Sequence, residues 1–327
     1  MKIVMLGSGS YKSSLTYFRL VALGQQLGRL GWGVSLIVPA ADKYNDFTPD
    51  WQATLEHVEL VQPWQPATRR PLLNLLPYLI SASLALLRRP AQLVYIYKPT
   101  PITIIGLLPR LLRRTPVILD LDDLGSMVMR EEGRSGLSVR LVAACERLAL
   151  RYATAVVVAS RYLAQQVHDR YPDKPVLRLS NGVDPDEFVA PDRQSKPRPA
   201  IYYFGALNRL SLIKPLLVAL PQTIQAVPET QVTIFGGGQA LDEAKALVRK
   251  LGLEKSVTFT GRVKPEVVQQ AVTFGDIAVC IQPDIPTVQA ASNVKVFQYM
   301  ALASVPVVSE VGDLKQYIEA VDGPVGC

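Results

Sequence analysis

The sequence predicts an α/β protein of two domains, each built on a parallel sheet that helices cover. Patterns of strand, turn, helix and strand recur in both halves, beginning with residues 2–39, and parallel strands require such crossovers. The length of 327 residues suits two domains of ordinary size. Residues 191–199 are polar, basic and rich in proline, which is typical of a linker. We therefore predict domains at residues 1–190 and 200–327.

Composition narrows the class of protein. Hydrophobic residues make up 49% of the chain, which is enough to fill two cores. Cys145, Cys280 and Cys327 show no paired spacing and indicate reduced thiols in a cytoplasmic protein. The two histidines, His57 and His168, belong to no metal-ligand pattern. A net charge of +7 suits anionic lipid, nucleic acid or phosphorylated substrates and does not distinguish them.

The first strand, residues 2–6, runs into a glycine-rich turn at residues 7–10. A helix over residues 13–30 and a strand over residues 34–39 follow. The turn lacks the third glycine of a dinucleotide fingerprint, and the second strand ends in Val-Pro-Ala instead of an acidic residue. We therefore interpret it as a tight turn that lets a ligand approach the backbone. The short apolar run before it is a strand and not a signal peptide.

Residues 71–87 carry no charge and are bracketed by the arginines at 69–70 and 88–89. The run is shorter than the about 20 residues that span a bilayer, and Pro77 interrupts it. Two interpretations stay open. The segment is a core helix of the first domain, or it is an interfacial helix whose arginines contact an anionic membrane face.

Acidic residues follow the predicted strand at residues 116–120, which ends in Asp120. Asp122 and Asp123 come directly after it. Because ligands bind at the carboxyl ends of parallel strands, we expect these carboxylates where an acceptor molecule binds. Two alternatives are a divalent cation site and helix capping by Asp122 or Asp123.

A second candidate site lies in residues 291–312. Ser292 and Asn293 are good N-caps for a helix, and a helix start at a strand edge binds anions through its free amides. Lys295 adds a cation in the first turn. Gln298 lies one turn further, where it can meet the sugar attached to a bound phosphate.

The same segment also carries a packing pattern. Val294, Phe297 and Ala301 form an apolar stripe that we expect to face a core. Pro306 ends the helical pattern, and residues 305–309 are predicted to form a short buried strand.

Residues 292–314 resemble the donor-site segment of family 4 glycosyltransferases of the GT-B fold, K-x-x-E-Y-M-A-x-G-x-P-V-V-x-S-x-x-G. The match covers the lysine, Tyr-Met-Ala, Pro-Val-Val, the serine and the last glycine. It departs at Gln298, where the family has glutamate, and at Ser304, where it has glycine. A second family glutamate is replaced by Ala290.

Other segments are similar to the same family in the same order. Residues 146–160 resemble the stretch that closes the N-terminal domain, and N-G-V-D-x-x-x-F at residues 181–188 resembles the interdomain crossing. The Asn-Gly pair there predicts a turn with positive φ. The family histidine after the first helix is absent from residues 31–34, and Asp122 stands where the family often has a second histidine.

The resemblance implies two Rossmann-like domains facing a cleft, and transfer of a sugar from a nucleotide-sugar donor to an acceptor hydroxyl with retained configuration. The donor is a substrate, and neither a cofactor nor a metal is expected. Asp122 and Asp123 are the candidate catalytic residues. The donor-binding residues implied are Gly9, Ser10, Asn181, Arg209, Lys214, Ser292, Asn293, Val294, Lys295 and Gln298.

Two other functions remain open. One is a nucleotide-sugar epimerase, and the other is a non-catalytic partner subunit, which Gln298 and Ala290 favour. Partners are expected to be the donor, the acceptor and an anionic membrane surface, with no nucleic acid. We expect a cytoplasmic protein that is peripheral on the inner membrane face. We also expect the second domain to be incomplete, because residues 313–327 are too few for the family's remaining elements.

Overall fold

The computed structural model describes residues 1–9, 17–39, 55–64, 71–183, 200–207, 213–272 and 274–319. The chain divides into two compact units, Met1–Asn181 and Gly182–Cys327. Each is an α/β unit with a parallel sheet, which confirms the predicted fold class. Several predictions fall outside the described residues, namely those for Ser10, Arg69, Arg70, Arg209, residues 184–188, the linker at 191–199 and the chain end at 320–327.

The first unit contains a seven-stranded parallel sheet in the order β3-β2-β1-β4-β5-β6-β7. Its strands are β1 (Lys2–Leu6), β2 (Gly33–Ile37), β3 (Val58–Val61), β4 (Leu93–Tyr97), β5 (Val117–Leu121), β6 (Ala155–Val158) and β7 (Val176–Arg178). The central strands are almost continuously buried, as parallel strands covered on both faces must be. Their carboxyl ends form one edge, where polar side chains collect.

The helices of the first unit start with a π-helical turn, Tyr17–Val21, that leads directly into α1. The α-helices are α1 (Ala22–Arg29), α2 (Pro71–Leu87), α3 (Leu108–Arg113), α4 (Gly125–Glu131), α5 (Leu137–Tyr152) and α6 (Arg161–Arg170). Helix α1 ends as predicted, since Gly31 takes φ of 81°, a conformation that glycine adopts without strain.

Helix α2 has two different apolar faces. The buried face consists of Tyr78, Ala82 and Leu86. The exposed face consists of Leu76, Ile80 and Leu84, which are 65%, 54% and 48% exposed. Helix α2 is therefore a core helix on one side and presents an uncovered apolar stripe on the other. No helix within the described ranges is both long and apolar enough to cross a membrane.

The second unit contains a five-stranded parallel sheet in the order β10-β9-β8-β11-β12. Its strands are β8 (Ile201–Phe204), β9 (Val232–Phe235), β10 (Val257–Gly261), β11 (Ile277–Cys280) and β12 (Val305–Val308). Its helices are α7 (Ile213–Ala226), α8 (Leu241–Lys250), α9 (Pro265–Ala271), α10 (Pro286–Ala290), α11 (Val294–Ala301) and α12 (Leu314–Glu319).

The apolar stripe of α11 differs from the prediction. Val296, Tyr299 and Leu302 are the buried residues, and they pack on Phe204 of the central strand β8. The predicted stripe of Val294, Phe297 and Ala301 is only partly buried. The reason is that every residue from 294 to 302 except Lys295 and Gln298 is apolar or aromatic, so the local pattern fits more than one helical face.

The prediction for residues 305–309 is also wrong in part. Strand β12 exists, but it is an edge strand, and Val305 and Val307 are 38% and 43% exposed. An edge position tolerates Pro306, which cannot donate a ladder hydrogen bond. Helix α11 ends before the proline, because Ala303 takes φ of 52°.

Candidate functional site

The carboxyl edge of the second sheet holds a lysine that pairs with no carboxylate of the described residues. Lys295 is the second residue of α11, and its Nζ atom lies 5.4 Å from the centre of the Tyr203 ring. Within the described residues, no carboxylate lies close enough to form an ion pair with it. Burial lowers the pKa of Lys295, and the neighbouring Cys280 opposes that shift. An anionic ligand would therefore relieve an existing electrostatic cost at this position.

The first turn of α11 is not capped as predicted. Asn293 occupies the N-cap position, but its side chain accepts no hydrogen bond from the helix. Its Nδ2 atom donates instead to Cys280 Sγ at 3.2 Å. The Ser292 hydroxyl lies 3.3 Å from the Tyr317 hydroxyl. The side chains of both predicted cap residues thus have tertiary partners, and the N-cap residue Asn293 does not cap α11.

The other predicted donor-binding residues are spread more widely. Val294 begins α11, and Gln298 lies one turn further and is half-buried. Lys214 is exposed in the first turn of α7. Gly9 belongs to the first unit, just after β1. In the second unit, the structure therefore brings Ser292, Asn293, Val294 and Lys295 together at one helix start.

The carboxyl edge of the first sheet is built on a buried ion pair that the sequence did not reveal. Arg19, in the π-helical turn, donates to both carboxylate oxygens of Asp120 at 2.7–3.0 Å. Tyr95 also donates to Asp120, at 2.8 Å. Burial opposes the charge of Arg19, but the Asp120 carboxylate outweighs it and raises the Arg19 pKa. The Asp120 carboxylate therefore has a structural role, since both of its oxygens accept hydrogen bonds from within the first unit.

Asn181 connects Arg19 to Asp122. Arg19 Nη1 donates to Asn181 Oδ1 at 2.9 Å, and Asn181 Nδ2 donates to Asp122 Oδ1 at 2.7 Å. Tyr97 donates to the other oxygen of Asp122 at 3.0 Å. The predicted turn of positive φ is wrong, because neither Asn181 nor Gly182 has positive φ. The Asn181 side chain is held by tertiary hydrogen bonds inside the first unit and does not form a local turn.

Lys98 bridges the two candidate catalytic carboxylates. Its Nζ atom lies 2.6 Å from Asp123 Oδ2 and 3.5 Å from Asp122 Oδ2. The two carboxylates raise the Lys98 pKa against the effect of burial. Lys98 also has φ of 55°, which is strained for a residue with a side chain. Such strain at the end of a parallel strand is typical of functional sites.

The capping alternative for these aspartates is wrong. Leu124 is the N-cap residue of α4, and its side chain forms no capping bond. Glu146 of α5 caps the start of α4 instead, since its carboxylate accepts from Ser126 N at 2.9 Å and from Ser126 Oγ at 2.6 Å. In the parts of the chain that the structure describes, no group of three or more His, Cys, Asp or Glu side chains is placed to hold a metal.

Two family profiles together match almost the whole chain. The profile described as Glycosyl transferase 4-like domain matches residues 18–182. The profile described as Glycosyl transferases group 1 matches residues 198–326. These two matches coincide with the two α/β units of the structure.

Individual relatives agree with the profiles. The GDP-mannose-dependent α-(1-6)-phosphatidylinositol monomannoside mannosyltransferase of Mycolicibacterium smegmatis is 30% identical over 137 residues, which are 38% of this chain and 35% of that protein. Sucrose-phosphate synthase of Thermosynechococcus elongatus shares the fold with a TM-score of 0.71 at 16% identity, over 97% of this chain and 83% of that one. HepE of Anabaena, in complex with UDP and glucose, shares it with a TM-score of 0.67 at 16% identity, over 97% and 82%. The chain belongs to the family 4, or group 1, glycosyltransferases of the GT-B fold.

Proposed function

We propose that this protein transfers a hexose from a nucleoside diphosphate sugar to an acceptor hydroxyl. The observation that carries the proposal is the start of α11, where Lys295 forms no ion pair with any described carboxylate and the Asn293 side chain does not cap the helix. Both features favour an anion of high charge density. A diphosphate gains charge as it leaves the sugar, so the same groups would stabilise the transition state more than the ground state.

The acceptor side of the proposal rests on Asp122, Asp123 and Lys98. Both oxygens of Asp122 already accept hydrogen bonds, from Asn181 and Tyr97. Asp123 pairs with Lys98 and keeps 23% of its side chain exposed, against 7% for Asp122. We therefore assign contact with the acceptor hydroxyl to Asp123 and a supporting position to Asp122. Retention of configuration, with the leaving phosphate accepting the hydroxyl proton, follows the family resemblance.

The similar proteins supply a starting set of donors. The mycobacterial relative is GDP-mannose-dependent, and HepE binds UDP and glucose. GDP-mannose and UDP-glucose are therefore the first donors to test. Gln298 stands where the family has glutamate, and an amide can bind a ribose by accepting from one hydroxyl and donating to the other. The substitution is thus compatible with donor binding.

An anionic membrane surface is the proposed location of the acceptor. Residues 60–119 contain no Asp or Glu and eight positive residues, which are Arg69, Arg70, Arg88, Arg89, Lys98, Arg110, Arg113 and Arg114. The exposed stripe of α2 lies in this stretch, and it lines a groove of about 550 Å³ together with Trp64, which is 66% exposed. Uncovered apolar side chains on a stretch rich in arginine suit the interface of an anionic bilayer.

The donor assignment is tested by calorimetric titration of UDP, GDP and ADP into wild type and into Lys295→Met. We expect the variant to lose about 1–3 kcal/mol of binding free energy, as charge-assisted hydrogen bonds contribute. Lys315→Met is the matched control, because Lys315 is exposed and pairs with Glu310. Failure of wild type to bind any of the three nucleotides would contradict the proposal. Product analysis without acceptor separates transfer from epimerisation.

A further inference from the structure

We propose that the Cys280 thiol is a positioning group, which holds the Asn293 side chain off the start of α11 and so leaves the helix amides open for the donor diphosphate. This inference rests on the proposed function. It concerns a residue at the end of β11 that does not touch the ligand itself. Its role is to decide which of two hydrogen bonds Asn293 forms.

The geometry around the thiol is specific. Cys280 is 1% exposed and ends the strand that pairs with β8 and β12. Asn293 Nδ2 lies 3.2 Å from Cys280 Sγ, and Gln282 Nε2 lies 3.9 Å from the same atom. Both amides donate to the sulfur, which acts as the acceptor. The sulfur thus orients the Asn293 side chain across the sheet edge.

The alternative for Asn293 is the conformation that its type and position favour. Asparagine is among the strongest N-cap residues, and its Oδ1 atom would accept from an amide of the first turn. Asn293 has an extended backbone, with φ of −83° and ψ of 98°, as an N-cap residue requires. Its side chain nevertheless forms no cap. A cap would fill the amide positions that an incoming phosphate oxygen needs.

The chemical nature of the thiol also matters. Burial raises the pKa of Cys280, so the group is a neutral acceptor near neutral pH. A neutral sulfur orients Asn293 without supplying a counter-ion to Lys295. An aspartate at the same place would also accept from Asn293, but it would pair with Lys295 and compete with the ligand. The thiol therefore leaves both the amides and the ammonium group available.

The central test compares Cys280→Val, which removes the acceptor at nearly equal volume, with Cys145→Val, which changes a buried thiol of the other unit. Binding of UDP and GDP is measured by titration, and the melting temperature is measured without ligand. We expect Cys280→Val to bind about fivefold more weakly, since Asn293 turns to cap α11, a bond of about 1 kcal/mol. Its melting temperature should not fall below that of Cys145→Val.

A second pair of variants removes the dependence on Cys280 packing. Serine caps a helix but is too short to reach the sulfur, whereas alanine does neither. We expect Asn293→Ser to bind about fivefold more weakly than Asn293→Ala and to melt at a higher temperature. The double variant Cys280→Val with Asn293→Ala should bind more tightly than Cys280→Val alone, because no Asn293 side chain is left to cap α11. Equal affinities for the serine and alanine variants would overturn the inference.

The outcomes separate this inference from the proposed function. If wild type binds no nucleotide, the proposed function fails, and the ligand-free measurements still decide the role of Cys280. A crystal structure of Cys280→Val should show Asn293 Oδ1 accepting from a first-turn amide of α11. If Asn293 stays in its present orientation in that variant, the thiol does not position it, and the inference is wrong.

Discussion

Lys295 occupies the space that a side chain at position 205 would need. A Cβ atom added to Gly205 would lie 2.4 Å from Lys295 Nζ and 2.5 Å from its Cε. Gly205 also has φ of 128°, which only glycine adopts without strain. The end of β8 is therefore shaped so that the ammonium group of α11 can lie directly above the backbone.

Gly205→Ala is predicted to weaken nucleotide binding. The added methyl group must displace the Lys295 ammonium, because that end of the side chain is flexible and the backbone is not. We expect a loss of about 1–3 kcal/mol in UDP or GDP binding, and about 1 kcal/mol or more in stability from the positive φ. Titration and chemical denaturation measure the two effects. Gly252→Ala, which has φ of 68° and no nearby atoms, is the control for backbone strain alone.

Nucleotide affinity is predicted to fall with rising pH in a way that depends on Lys295. Burial lowers the pKa of this lysine in the free protein, and a bound diphosphate stabilises its charged form and raises that pKa again. Nucleotide affinity is thus highest below the Lys295 pKa of the free protein, and it decreases as the pH rises from that pKa to the higher Lys295 pKa of the complex. Lys295→Arg should remove this decrease, since guanidinium stays charged. Titrations between about pH 7 and pH 10 would show both profiles. If nucleotide affinity showed the same pH dependence in wild type and in Lys295→Arg, Lys295 would not be the group that binds the diphosphate.

Arg19→Met is predicted to destabilise the first unit strongly. The change leaves the buried Asp120 carboxylate without its cation, which costs about 3–5 kcal/mol in comparable buried pairs. Arg89→Met breaks the exposed pair with Glu59 and should cost about 1 kcal/mol or less. Urea denaturation followed by circular dichroism gives both free energies. Similar losses for the two variants would show that the Arg19–Asp120 pair is not an important part of the fold.

Asp122 and Asp123 are predicted to respond differently to amide substitution. Asp123→Asn should lower the transfer rate at least about tenfold with little change in stability, since Asp123 is the more exposed carboxylate. Asp122→Asn should destabilise the protein by about 1–3 kcal/mol, because the donors from Asn181 and Tyr97 lose a charged acceptor. Rate assays and thermal unfolding distinguish the two. A stable, fully active Asp123→Asn protein would exclude its contact with the acceptor.

Membrane attachment is predicted to depend on the exposed stripe of α2. Replacing Leu76, Ile80 and Leu84 together by serine should reduce binding to anionic vesicles at least about tenfold, because each side chain contributes apolar area. The control replaces three exposed apolar residues of the second unit, Val218, Val267 and Phe274. Flotation at low and high salt measures the charge contribution. Equal recovery on neutral and anionic vesicles would count against the arginines.

The sequence by itself determined the architecture and the two candidate edges. Repeated strand and helix periods predicted two parallel-sheet units, because the side-chain pattern of each element is local. The positions of Lys295 and Asp123 followed from the rule that parallel strands present ligands at their carboxyl ends. Nothing beyond neighbouring residues was needed for these conclusions.

Only the tertiary structure decided which side chains are available at those edges. Asparagine is a typical N-cap residue, yet the side-chain amide of Asn293 donates to Cys280 and does not cap the helix. The Asp120 carboxylate is unavailable to a ligand because it pairs with Arg19, which is 101 residues away along the chain. The sequence did not indicate a role for Lys98, because its ion pair with Asp123 depends on a strained backbone φ at the end of β4. Hydrogen bonds and ion pairs between distant segments have no local period, so they become visible only when the sheets have assembled.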